Sequence, residues 1–328
     1  MSSSQGAENA APRGPVVVVT GPTASGKSSL AISLCEAYGG EIVNADSMQV
    51  YRFMDIGTGK PSAEQRGRVP HHLFDVVDPN DRYSAGRYAT RARRIAEAIH
   101  GRGRLVVLVG GTGLYIRAFL EGLIQGAGAD PELRETLEAD HERAVREGDS
   151  GRLHRRLQEA DRKAAERIHP NDARRVVRAL EIHAIVGEPA SALRDRHGFA
   201  DRPYPCLHLA VDPGREPLNE RIDRRCEEMI EGGLLQEVRA LRGRGFGADL
   251  APMRAIGYRH INPVVDGVET LANALAEMQR DTRQFARRQR TWLRAVPEAV
   301  WLSPDEPGAI ERAVEAFLEG NPLSPQGA

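Results

Sequence analysis

The residues best equipped for chemistry form one unbroken run: Gly21, Pro22, Thr23, Ala24, Ser25, Gly26, Lys27 and Ser28. Glycines at this spacing let backbone N–H groups converge on an anion. Lys27 offers a point charge to a terminal phosphate, and the Ser28 hydroxyl suits Mg2+. The spacing is that of a P-loop, which works only if a buried strand fixes its start and a helix N-terminus adds positive potential. Both are present: the β-branched run Val16–Val19 precedes the loop and the helix-forming Ser29–Leu34 follows it.

A second strand is expected over Glu41–Ala45, ending at Asp46. Groups just past the carboxyl ends of parallel strands face the ligand crevice, so Asp46 is either an acid beside the phosphate cradle or a capping residue. Gly57-Thr58-Gly59-Lys60-Pro61 reads as a second small phosphate grip or as a plain loop. A helix is expected from Ala85 to His100, then a buried strand, Leu105–Val109, which opens into Gly110-Gly111-Thr112-Gly113-Leu114-Tyr115. A nucleotide hydrolase usually ends such a strand in a metal-holding acid, but glycine stands here. Those glycines would let Thr112 and nearby N–H groups approach a ligand closely.

The elements that must position these groups follow from the wider chain. Its 328 residues suffice for two moderate domains. From about Leu123 to Pro203 the strand signals stop, and helices are expected over Pro131–Glu147, Gly151–Ile168 and Asn171–Val186. The expected architecture is an α/β P-loop fold, a parallel sheet flanked by helices, with an inserted all-helical domain. Its divisions would be a disordered tail over 1–14, a first core segment over 15–123, the insertion over 124–203, a second core segment over 204–320 and a tail over 321–328. The second core segment should carry a strand at Leu207–Val211 and a helix from Pro217 to Leu241. A long helix over Thr270–Val296, an edge strand at Ala299–Leu302 and a packing helix to Phe317 complete it.

The formal net charge of −1 excludes a uniformly basic nucleic-acid protein, yet 42 of the 45 basic residues are arginine. Two clusters stand out. Arg174, Arg175 and Arg178 share one arc of a helix whose other side carries Val176, Val177, Leu180 and Ala184. Arg280, Arg283, Arg287, Arg290 and Arg294 recur at intervals of three and four, with Leu271, Leu275, Met278, Phe285 and Trp292 on the opposing face. A stripe of one sign fits a polyanion better than the alternative, a solvated helix face, which usually alternates signs. The cysteines Cys35, Cys206 and Cys226 lack metal or disulfide spacing. No secretory leader is recognisable, and no apolar run approaches the ~20 residues of a bilayer span, so a cytoplasmic protein is expected.

These parts suit phosphoryl transfer from ATP, or a reaction in which the cradle holds a diphosphate that leaves while Asp46 deprotonates a nucleophile delivered by a polyanion. The basic clusters favour the second. The P-loop, Asp46-Ser47-Met48-Gln49-Val50-Tyr51, Met54–Pro61, Gly110–Tyr115, Asn171-Asp172, Ile256-Gly257-Tyr258-Arg259 and Thr291-Trp292-Leu293-Arg294 together closely resemble the bacterial tRNA dimethylallyltransferases, in order from Val16 to Leu302. That family moves a dimethylallyl group from dimethylallyl diphosphate to N6 of the adenosine immediately 3′ of the anticodon.

The resemblance implies that Gly21–Ser28 and Arg221 bind the donor's diphosphate. Lys27, Arg225 and a Mg2+ ion on Ser28 would stabilise the departing pyrophosphate, Asp46 would be the base, and Thr112 would hydrogen-bond nearby. It further implies tRNA contacts from Asp46, Ser47, Met48, Gln49, Thr112, Arg134, Arg174, Arg175, Val176, Val177 and Arg178. Others would come from Arg254, Ala255, Ile256, Gly257, Tyr258 and Arg259, and from Arg287, Arg288, Gln289, Arg290, Thr291, Trp292, Leu293 and Arg294. A monomer acting on the anticodon stem-loop is expected. The stretch Gln125–Ala129 departs from the family in its glycine content, so a looser hinge is expected, and a bacterial type without the zinc-finger extension of eukaryotic relatives is expected. An adenylate isopentenyltransferase or a metabolite kinase would be the alternatives.

Overall fold

A computed structural model describes residues 13–123, 128–198 and 202–323. The expected N-terminal tail lies almost wholly outside the described residues, as do most of the C-terminal tail and the start of the Gln125–Ala129 stretch. The chain divides into one compact unit of residues 1–120 and 203–328 and a second of residues 121–202.

The first unit is built on six parallel strands: β1 (Val16–Thr20), β2 (Gly40–Asn44), β3 (His71–His72), β4 (Leu105–Val109), β5 (Cys206–Val211) and β6 (Ala299–Leu302), in the spatial order β3-β2-β4-β1-β5-β6. All five residues of β1, β2 and β4 are buried, as a parallel sheet covered on both faces requires. Alternate residues go to opposite faces. Val16, Val18, Val106 and Leu108 pack with Tyr88 and Ile99 of α3 (Ala85–His100) and Ile116 and Phe119 of α4 (Gly113–Glu121). Val17, Val19 and Val107 pack with Ile32 of α1 (Lys27–Tyr38) and Ile310 and Val314 of α14 (Pro307–Gly320). Central β1 thereby holds the P-loop at its carboxyl end. Short α2 (Ala63–Arg68) starts at a capping box in which Ser62 and Gln65 satisfy each other's backbone N–H.

The second unit contains α5 (Pro131–Arg146), α6 (Arg152–Ala160), α7 (Arg162–Arg167), α8 (Ala173–Val186) and α9 (Ala190–His197) around Leu137, Leu153, Leu157, Val176, Val177 and Leu180. The single helix expected over Gly151–Ile168 is two. Asp161 ends α6 and caps α7: its carboxylate takes the Ala164 N–H at 2.9 Å and the Ser191 hydroxyl at 2.6 Å.

Back in the first unit, the helix expected over Pro217–Leu241 also breaks. Gly232 and Gly233, the latter at φ +99°, separate α10 (Arg215–Glu231) from α11 (Leu234–Gly243). Then α12 (Tyr258–Val265) and α13 (Leu271–Leu293) pack with them around Met54, Ile222, Val238, Tyr258 and Met278. Among the described residues no helix is long and apolar enough to cross a membrane.

Candidate active site

The cradle begins where β1 ends. A side chain on Gly21 would place its Cβ 2.3 Å from the Val211 carbonyl, so only glycine lets the loop leave the sheet beside β5. Ala24 (φ +63°) and Gly26 (φ +93°) then bend the backbone toward the N-terminus of α1, where unpaired N–H groups and the helix dipole favour an anion. The Lys27 ammonium donates to the Pro22 carbonyl at 2.6 Å. Burial, reinforced by the neighbouring Arg225 charge and opposed by Asp46, lowers the Lys27 pKa to about 7. Arg225 of α10 is depressed by burial as well, with Asp46 working against the shift. Two crowded cations and one carboxylate give a site short of negative charge.

One cleft collects these groups: Thr23, Lys27, Ser28, Asp46 and Arg225 line it together with Asn44, Gln49, Thr58 and Gly59. An apolar portion is supplied by Ile42, Pro61, Phe74, Val109 and Phe285. Asp46 lies two residues past the end of β2. Its Oδ1 accepts the Met48 N–H at 2.8 Å, and its own N–H is held by Asn44 Oδ1 at 2.9 Å. The other carboxylate oxygen has no hydrogen-bond partner among the described residues.

Gly110 and Gly111 line the cleft, and the glycines of this stretch also make room for their neighbours. A Cβ at Gly110 would meet the Ala45 backbone at 2.2 Å, one at Gly111 the Gln289 amide at 2.2 Å, and one at Gly113 the Trp292 ring at 2.2 Å. The glycines therefore let β2 and α13 close onto the cleft. Thr112 is not among the lining residues. Its hydroxyl accepts the Ser47 N–H at 2.9 Å and donates to the Ser47 hydroxyl at 3.2 Å, so it anchors the segment that carries Asp46.

Several expected contacts are placed elsewhere. Gln289 is buried, with Oε1 accepting the Thr23 N–H at 2.8 Å and Nε2 donating to the Gly111 carbonyl at 3.3 Å. It belongs to the cradle's wall. Arg221, one turn before Arg225, pairs with Asp305 at 3.3 Å and does not line the cleft. Lys60 is no phosphate grip: its ammonium is buried against Asp55, Asp75 and the Tyr51 carbonyl, each at 2.6 Å. Phe285, expected on the packing face of α13, is exposed and lines the cleft.

The arginine clusters are also partly neutralised. On α13, Arg290 pairs with Asp212 at 2.7 Å, Arg283 with Asp223, and Arg280 with Asp281 at 3.2 Å. Arg287, Arg288 and Arg294 are exposed with no carboxylate partner among the described residues. In the helical unit, Arg134 and Arg178 both bind the fully buried Glu181, at 2.7 and 2.6 Å. Burial pushes the Glu181 carboxyl up, but the hydrogen bonds from the two arginines outweigh it and the net direction is down. Arg174 and Arg175 remain exposed, Arg175 lying 3.4 Å from Asp172. Ala184, expected on the apolar side of α8, is exposed.

Consecutive residues on a helix turn through every face, so whole stretches cannot present their side chains to one ligand. Val176, Val177, Tyr258 and Leu293 are accordingly core residues, and Trp292 is half-buried. Ala255 and Ile256 are half-buried and Gly257 buried, Thr291 and Arg254 are exposed, and Arg259 pairs with Asp281 at 2.5 Å. The feature that no motif announced is Glu237, whose carboxylate binds three backbone N–H groups of the Asp55–Gly57 loop.

A parallel sheet carrying a phosphate cradle on its central strand defines a P-loop α/β protein, and glycine follows β4 where nucleotide hydrolases usually carry an acid. The comparisons narrow this. Residues 49–296 match the family model described as IPP transferase, and residues 14–69 match the one described as isopentenyl transferase. The tRNA dimethylallyltransferase of Geobacter metallireducens is 49% identical over 303 residues, 92% of this chain and 96% of its own. That of Desulfatibacillum aliphaticivorans is 46% identical over 304 residues, 93% and 98% of the two chains. Among solved structures, the tRNA isopentenylpyrophosphate transferase of Bacillus halodurans superposes with a TM-score of 0.68 at 37% identity, covering 94% of this chain and 97% of its own. A eukaryotic dimethylallyltransferase acting on tRNA gives 0.80 at 28% identity, covering 95% and 81%. The chain belongs to the tRNA dimethylallyltransferase family of IPP transferases.

Proposed function

We propose that this protein transfers the dimethylallyl group of dimethylallyl diphosphate to N6 of the adenosine immediately 3′ of the anticodon in tRNA, releasing pyrophosphate. The observation that carries the reading is the composition of one cleft: the cradle with Lys27, Ser28 and Arg225, the carboxylate of Asp46, and the apolar Phe74, Val109 and Phe285. An allylic diphosphate is an anion with an apolar tail, and both ends find matching surroundings.

In the reaction the C1–O bond to the diphosphate breaks, the N6–C1 bond forms, and the N6 proton passes to Asp46. Adenine N6 is a poor nucleophile and an allylic carbon ionises readily, so bond breaking leads. Catalysis then rests on stabilising charge on the departing diphosphate, the task of Lys27, Arg225 and the N–H groups of the cradle. The Met48 N–H holds one oxygen of Asp46 and leaves the other for the proton. Flipping the adenosine out of a single-stranded loop costs only a few kcal/mol.

The residues also fit Mg2+. Ser28 lines the cleft beside Asp46, and the Ser25 hydroxyl is buried in the same loop without a hydrogen-bond partner. Among the described residues no His, Cys, Asp or Glu cluster could cage a metal, as suits an ion held mainly by phosphate oxygens. When bound, Mg2+ would neutralise charge on the leaving group. Of the arginines expected at tRNA, Arg174, Arg254, Arg287, Arg288 and Arg294 are exposed without a carboxylate partner among the described residues and would meet its phosphates. The enzyme would act as a cytoplasmic monomer.

The test is prenyl transfer from labelled dimethylallyl diphosphate with Mg2+ to unmodified tRNA, in parallel with AMP as acceptor and with labelled ATP as donor. Label in tRNA alone is expected. Label in AMP, or phosphate transfer from ATP, would overturn the assignment.

A further inference from the structure

The loop from Met54 to Lys60 is tied at its end by the Lys60 ammonium on Asp75 and the Tyr51 carbonyl, and its first turn is held by one carboxylate. Glu237, on α11, accepts the N–H groups of Asp55 at 2.9 Å and Ile56 at 2.7 Å on Oε2, and that of Gly57 at 3.1 Å on Oε1. The Tyr258 hydroxyl donates to the same Oε1 at 2.7 Å. Successive N–H groups converging on one point form an anion-binding concavity, and here the anion is a side chain of the protein. Tyr258 is fully buried, and its ring passes so close to Gly57 that a Cβ there would sit 2.6 Å from it.

The rest of the loop is closed by its own bonds. The Thr58 hydroxyl donates to the Met54 carbonyl at 2.6 Å, the Gly59 N–H to Ile56 at 2.9 Å, and the Lys60 N–H to Asp55 at 3.0 Å. Gln49 Nε2 donates to the Thr58 and Gly59 carbonyls, both at 3.1 Å. These bonds connect Thr58 and Gly59 to the turn that Glu237 holds. Its far end touches the chemistry: Thr58 and Gly59 line the cleft, and a Cβ on Gly59 (φ +58°) would lie 1.9 Å from the Arg225 guanidinium. Arg225 has no ion pair with a carboxylate among the described residues, and the Gly59 backbone packs closely against its guanidinium.

We infer that Glu237, braced by Tyr258, is a positioning residue for Arg225: it sets the loop against which that guanidinium rests and so the geometry of diphosphate binding. The inference rests on reading the cleft as a diphosphate site. Glu237→Gln keeps the shape but replaces one acceptor oxygen with an NH2 group that faces backbone donors. The probe is inorganic pyrophosphate with Mg2+, titrated calorimetrically into the full-length protein.

The expected result is a loss of affinity of about tenfold, in the range seen for groups that orient a binding residue. In an Arg225→Ala background, Glu237→Gln should change affinity by less than about twofold, because the group it positions is gone. Tyr258→Phe keeps the ring against Gly57 and removes one of the four donors, so about a threefold loss with the same non-additivity is expected. It carries the test should Glu237→Gln fail to fold. Equal losses in both backgrounds would make Glu237 a scaffold residue and overturn the inference, as would unchanged pyrophosphate affinity in folded Glu237→Gln. Absence of prenyl transfer by the wild type would instead overturn the reading of the site.

Discussion

Asp46 carries the sharpest prediction. Asp46→Ala removes a base but no cation, so tRNA binding should persist while turnover falls by about 10²–10⁴-fold, checked by single-turnover transfer beside a filter-binding assay. Unchanged turnover would remove Asp46 from the mechanism. Lys27 makes a different one. With its pKa lowered to about 7, the amine is largely neutral at pH 8 in the free cleft. A diphosphate favours the charged form, so binding at that pH should take up about one proton, measured by calorimetry in buffers of different ionisation enthalpy. Lys27→Arg, already charged, should bind without that uptake.

The element that most needs reinterpretation is α13. Its arginines look like one stripe, but Asp212, Asp223 and Asp281 neutralise Arg290, Arg283 and Arg280, leaving Arg287, Arg288 and Arg294 for a polyanion. Arg287→Ala should weaken tRNA binding and reduce its log–log salt slope by about 1, because one phosphate contact and its counterion release are lost. Arg280→Ala should leave the slope unchanged. Equal slopes for wild type and Arg287→Ala would return that residue to a solvated face. The inner side of the same helix packs on the cradle through Gln289 and against Gly113 through Trp292, so on the proposed reading α13 would serve both an RNA-facing surface and the cradle wall.

At the scale of the whole molecule, the sheet contains a group that makes it acid-sensitive. His208 on β5 is buried, its Nε2 lying 3.0 Å from the Thr20 hydroxyl, and burial lowers its pKa to about 4. Unfolded, the imidazole titrates near 6.5. Between these values the unfolded state binds the extra proton. Stability therefore falls as pH drops through that window, by about 2–3 kcal/mol from this group at pH 4.5. Urea unfolding followed by tryptophan fluorescence reads the right unit, since Trp292 and Trp301 both lie in it. His208→Gln should lose less stability than wild type between pH 7 and 4.5; an identical loss would assign the acid sensitivity to other groups.

What the sequence determined by itself was whatever a few neighbouring residues encode. The strand at Leu105–Val109, the helix at Ala85–His100 and the strand–cradle–helix order around Gly21–Ser28 were readable because burial on both faces, capping and glycine spacing act within one stretch of backbone. Asp46 was readable because position past a strand end is local too. Breaks were less so: Asp161 and the Gly232-Gly233 pair interrupt helices whose composition runs on smoothly. The tertiary structure alone decided which charges are already spent and which small residues make room. Arg290 with Asp212, Gln289 on the Thr23 N–H, Glu237 on the Asp55 loop and Gly113 under Trp292 each join residues tens to hundreds of positions apart. A local charge count cannot see such partners, because burial and distance set an electrostatic or steric contact, and both exist only once the chain has folded.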